Sequence, residues 1–120
     1  MIKIFQPNDI DCFRACVASI LELPLSEVPS FVELHGRDYL IHALKFLEDR
    51  NYTLVCVPYE CASHLFFLFP HIVVGRLYKT TDIHHATVYV GEEMVHDPML
   101  NSPGYCEPPF ERWLIVKVPQ

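Results

Sequence analysis

Cations are scarce in this sequence: nine Lys and Arg stand against fifteen Asp and Glu, for a net charge of -6, and the basic residues do not gather in one stretch. Such a surface repels a phosphate backbone, so nucleic acid is not an expected partner. Long apolar runs are missing too. The longest, Leu65 to Phe69 before Pro70, falls far short of the roughly 20 residues that span a bilayer, and no membrane partner is expected. Met1 to Pro7 lacks the basic region and apolar core of a secretion signal, which makes a cytoplasmic location the expectation. There is no Cys-x-x-Cys pair, and five cysteines are an odd number, which argues against both a disulfide framework and a zinc ribbon. Reduced thiols follow. Cys16, Cys56, Cys61 and Cys106 read as small buried hydrophobes; Cys12 needs separate treatment.

What is present is enough for one core. The chain has 120 residues, 51% of them hydrophobic and 20% charged, so it can offset the entropy lost on folding, and a single domain over residues 1–120 is expected. No repeat or low-complexity tract interrupts it, and the ten prolines are spread along the chain.

From about Asp11 to Leu23, Phe13, Cys16, Val17, Ile20 and Leu21 recur at helical spacing until Pro24 stops the run. Asn8, Asp9 and Asp11 sit where short polar side chains cap free amides. Ser26 to Val28 reads as a single turn. Asp38 can cap a second helix, Tyr39 to Arg50, with Leu40, Ala43, Leu44 and Leu47 as its buried stripe. Beyond Tyr52 the chain shifts to short runs rich in Val, Ile, Thr, Tyr and Phe, at about Thr53 to Val57, His71 to Leu77, His84 to Val90, Met94 to His96 and Trp113 to Val118. These predict antiparallel strands. Two helices followed by a sheet give an α+β domain, with the first helix laid on the sheet.

Cys12 falls in the first turn of that helix, where unpaired amides and the dipole favour a thiolate. The dipole contributes at best about 2 kcal/mol, too little to ionise a thiol whose ordinary pKa is about 8.5. A base or second cation must help, and the sequence supplies histidines. His84 and His85 open a predicted strand, and after the turn Gly91-Glu92-Glu93 the run Met94-Val95-His96-Asp97-Pro98 returns a carboxylate to the same end. Register decides which histidine it meets. A three-residue loop sets Val90 opposite Met94 and brings Asp97 diagonal to His85; a two-residue turn shifts parity and puts His84 on the face of Asp97. Both alternatives stay open on the sequence. Gln6, six positions before Cys12, can offer a side-chain amide to an oxyanion formed by thiolate attack on a carbonyl.

These stretches, Gln6 with Asp11-Cys12 and Ala15-Cys16 at a helix start, then His85-Ala86-Thr87-Val88-Tyr89, then Asp97-Pro98, resemble papain-like cysteine peptidases. The closest likeness is to the bacteriocin-processing peptidases that cut double-glycine leaders. The resemblance implies a papain-like minimal core, with Cys12 as nucleophile, His85 as base, Asp97 as its orienter and Gln6 lining the oxyanion hole. It also implies a thiol hydrolase acting on a peptide or isopeptide bond of a protein or peptide substrate, with no cofactor. The family commonly has glycine after its cysteine, where Phe13 stands here.

Other readings use the same residues. Deamidation or amide exchange runs on the same triad, since only the acceptor differs. A metal site from His84, His85, His96 or Cys12 suits imidazole and thiolate chemistry but lacks regular ligand spacing. A binding or inhibitor module that keeps the fold without turnover is the third class. Trp113 and the Leu65–Phe69 run read as core or packed loop, Glu92 and Glu93 as a solvated turn, and Asn101 as a loop residue. His35, His42, His64 and His71 show no partner in the sequence.

Overall fold

The structure is a computed structural model and describes residues 1–61, 68–79 and 83–119. Helix α1 (Cys12–Leu21) is followed by a 3-10 turn (Leu25–Glu27), a five-residue helix α2 (Phe31–His35) and helix α3 (Tyr39–Glu48). Strands β1 (Tyr52–Pro58), β2 (His71–Arg76), β3 (His84–Val90), β4 (Glu93–His96) and β5 (Glu111–Lys117) complete the fold. They form one antiparallel sheet in the order β1-β5-β2-β3-β4. The α+β class expected from the sequence is what the chain adopts.

Helix α1 stops earlier than the apolar spacing suggests. Glu22 takes a left-handed conformation (φ 57°), and the Leu23 amide turns back to the Ala18 carbonyl at 3.0 Å, so Leu23 and Pro24 leave the helix axis. Its buried side, Phe13, Cys16 and Val17, packs with Ala86 and Val88 of β3, while Ile20 and Leu21 are only partly buried. Phe13 also meets the rings of Trp113, Tyr39 and Phe31 at centroid distances of 5.6, 5.7 and 5.9 Å. Phe13 is therefore a core aromatic.

Helix α2, which the sequence reading does not contain, contributes Phe31 to this cluster. In α3 the buried positions are Ala43, Phe46 and Leu47, with Leu40 and Leu44 only partly buried: the stripe is rotated toward Phe46, whose ring meets Phe31 at 5.6 Å. Trp113 is core as expected. The run Leu65–Phe69 falls partly outside the described residues, and its described members, Leu68 and Phe69, are exposed.

The thiols correct a second expectation. Only Cys16 is buried; Cys106 is half-buried, and Cys56 and Cys61 are exposed, because β1 is a sheet edge and Cys61 lies beyond its end.

The N-terminal segment ties the halves together. Ile2 and Ile4 donate their amides to the Ser19 carbonyl and hydroxyl at 3.1 and 3.0 Å, and His96 Nε2 donates to the Ile4 carbonyl at 2.7 Å. One step on, the Gln6 amide donates to the Pro98 carbonyl at 2.9 Å. Gln6 is thus fixed between α1 and the end of β4.

Candidate active site

Cys12 is the first residue of α1 and is half-buried. His85 lies near the start of β3, opposite Gly75 of β2, and is buried. Asp97 follows β4 directly. What brings the carboxylate to His85 combines both registers considered above. The β3–β4 turn has two residues, Gly91 and Glu92, with Gly91 at φ 64°, and Val90 pairs with Glu93. Taken alone, that parity would place Asp97 with His84. A bulge intervenes: Tyr89 pairs with Met94, yet Val88 pairs with His96, so Val95 is an extra residue. The bulge restores the parity that favours His85.

His85 Nε2 and Asp97 Oδ1 are 2.8 Å apart, and the Met99 amide donates to the same oxygen at 3.0 Å. Burial raises the Asp97 carboxyl, but the bonds from His85, the Ser102 side chain and the Met99 amide outweigh it and hold the pKa below its ordinary value. A carboxylate only accepts, so Nε2 carries the proton, leaving Nδ1 as the ring nitrogen available to a thiol. Burial alone would lower the pKa of His85. Hydrogen bonding to Asp97 and to the Cys12 side chain, with the charge of both, reverses that and raises it to about 9. The imidazole therefore stands between a thiol and a carboxylate and favours its charged form at neutral pH.

Cys12 and His85 line one cleft of about 300 Å³ whose walls include Phe13, Val74, Ala86 and Trp113. Gln6 is placed beside His85 in an adjoining recess with Asp9 and Met99. Its Nε2 donates to the Asn8 carbonyl at 2.8 Å, while its buried Oε1 has no partner among the described residues. His85 thus links Asp97 and Cys12, bonded to the first and lining the cleft with the second, while Gln6 lies in the adjoining recess. His84 is exposed at the rim, its ring edge-on to Phe110 at 5.1 Å, and does not share the carboxylate. Asn101 is a turn residue with φ 59°, and Ser102 is the neighbour that reaches Asp97.

Three site residues are invisible in the sequence. Besides Ser102, Tyr105 braces His85 from the loop before β5: its hydroxyl donates to the Val73 carbonyl at 2.6 Å, shares a 2.7 Å contact with the Thr87 hydroxyl, and its ring centroid is 6.1 Å from that of His85. Gly75 makes room for it, since a Cβ there would lie 2.7 Å from the Tyr105 ring and 3.2 Å from the Pro109 Cα. The sole signal for this brace is a tyrosine within Pro103-Gly104-Tyr105, which looks like any turn.

Among the described residues, no three His, Cys, Asp or Glu side chains converge as metal ligands. No single described helix is long and apolar enough to cross a membrane. Comparison with protein-family models, curated proteins and solved structures finds no match to this chain.

Proposed function

We propose that this protein is a thiol hydrolase of papain-like type acting on a peptide or isopeptide bond, with Cys12 as nucleophile, His85 as base, Asp97 as its orienter and Gln6 at the oxyanion. The reading rests on one observation above others: the His85 imidazole, bonded to the Asp97 carboxylate at 2.8 Å, lines the same cleft as the Cys12 thiol. In the proposed reaction the Cys12 proton rests on His85 Nδ1, which gives the ring its charge, and the sulfur attacks the substrate carbonyl. The resulting oxyanion is held by the Gln6 carboxamide and by the backbone amide at the start of α1, where amides have no helical partner. The imidazolium then protonates the departing amine. Water, deprotonated by His85, releases the acyl group and restores the thiol.

The test is a peptidyl vinyl sulfone, which traps an activated thiol, followed by mapping of the adduct. The expected result is modification at Cys12, absent in Cys12→Ala and slowed at least about tenfold in His85→Ala. An unmodified Cys12, or an adduct unaffected by His85→Ala, would contradict the reading. Mass spectrometry of peptides incubated with the protein separates a cut backbone from a hydrolysed glutamine carboxamide, which would assign deamidation to the same residues.

A further inference from the structure

Asp11 directly precedes Cys12 and is the one buried carboxylate among the described residues, 2% exposed. Enclosing a carboxylate is costly unless donors replace its water. The expected use of an Asp at this position is to cap the helix, yet its side chain makes no cap bond to α1. Its oxygens go instead to three other side chains: Asn8 Nδ2 and Arg14 Nη1, each at 3.1 Å, and the Ser30 hydroxyl. Arg14 is itself anchored, with Nε donating to the Val28 carbonyl at 2.6 Å and Nη2 to the Leu25 carbonyl at 2.9 Å. Asn8, on the other side, accepts the Ile10 amide at 3.0 Å through its side chain and the Gln6 Nε2 at 2.8 Å through its carbonyl. A continuous chain of bonds therefore runs from the anchored turn before α2, through Asp11, to the loop that holds the Gln6 carboxamide.

We propose that Asp11 and Asn8 are positioning residues that hold the Gln6 carboxamide in the recess beside His85, next to the Cys12–His85 cleft, independently of the activation of the thiol by His85. This rests on the thiol-hydrolase reading above. It separates two steps that a collapse of the site would damage together. Alkylation of Cys12 by iodoacetamide displaces iodide from a saturated carbon and forms no oxyanion, so it depends on the thiolate alone. Acylation by p-nitrophenyl acetate does form one: the sulfur–carbon bond forms, the carbonyl pair moves to oxygen, and its return expels p-nitrophenolate.

Both rates are measured at Cys12 in the folded protein. In Asn8→Ala, which alters an exposed side chain, acylation falls about tenfold while alkylation stays within about twofold of the parent. Asp11→Asn shows the same selective loss, with alkylation within about twofold of the parent. Gln6→Ala gives the same pattern. Equal loss of both rates in Asn8→Ala would overturn the proposal, since the network would then only support the fold, and unchanged acylation would overturn it as well. A parent protein alkylated but never acylated at Cys12 would remove the hydrolase reading, and this proposal with it.

Discussion

The β2–β3 hairpin carries a buried histidine toward each end, and the two behave in opposite ways. His85 pairs with Gly75 and His71 with Tyr89, four residues away along β2, about 13 Å at ~3.3 Å per residue. Both rings are enclosed and both bond a charged side chain. Beside His85 that group is the Asp97 carboxylate, and its pKa rises to about 9. Beside His71 it is the Arg112 guanidinium, with Nη1 3.0 Å from His71 Nε2. Arg112 only donates, so Nε2 must accept, and the ring proton sits on Nδ1, facing the Phe69 carbonyl at 3.1 Å. Burial first, and then the Arg112 charge, lower the pKa of His71 against the opposing pull of the Phe69 bond and Glu92. Burial is common to both rings; the sign of the neighbour decides which favours its charged form and which its neutral one.

Removing the charged partner should therefore have different consequences at the two ends. Arg112 donates to the Tyr59 and Gly91 carbonyls, each at 2.9 Å, and to Glu92 at 2.8 Å, and it stacks on the Tyr59 ring. Arg112→Ala removes the bonds to His71, to both carbonyls and to Glu92, and is expected to destabilise the fold by about 3–5 kcal/mol. Urea unfolding checks this, and the Cys12 alkylation rate of the molecules that remain folded should match the parent. Asp97→Ala should do the reverse. Thiol acylation drops about a hundredfold as the ring loses its orienter and its pKa falls, while stability changes less than in Arg112→Ala.

The smallest effect is a pair of opposed pH slopes. A histidine whose folded pKa is raised stabilises the protein fully below its unfolded value of about 6.5, and that contribution fades as pH climbs through about 9. His71, with its folded pKa lowered, contributes above about 6.5 and loses that contribution as the solution is acidified through its folded value. Asp97, also lowered, adds stability above the ordinary carboxylate range that disappears in acid. Site-resolved NMR titration should show His85 still protonated at pH 8 and His71 neutral at pH 6.5. Parallel titration of the two rings would erase the distinction.

The sequence carries these two regions unequally. Helical spacing from Phe13 to Leu21 and the short polar residues before Cys12 announce the helix that begins at Cys12, because amphipathic period and helix starts are local properties. Alternation along His84 to Val90 likewise announces β3. Which histidine meets Asp97 is not legible in the sequence, because it depends on the extra residue Val95, and a bulge has no local signature in a run as ordinary as Met94-Val95-His96. Its position is tied to a distant contact, His96 with the Ile4 carbonyl. Arg112 is hidden for the same reason. In sequence it is one cation just before a predicted strand, and only the sheet order brings β5 beside β2, His71 and the β3–β4 turn. Asp11 shows how a correct local cue misleads about role: it stands at the helix start, as its residue type predicts, but bonds side chains from three segments instead of the helix amides.

The central claim, that His85 and Asp97 activate Cys12, is tested most directly by the order in which the cysteines react with iodoacetamide at neutral pH. Exposure alone ranks Cys56 and Cys61 ahead of the half-buried Cys12. Activation predicts that Cys12 is alkylated first, about tenfold faster than either, and that Asp97→Ala removes the advantage. Alkylation of Cys56 and Cys61 ahead of Cys12, or a Cys12 no faster than Cys106, would contradict it.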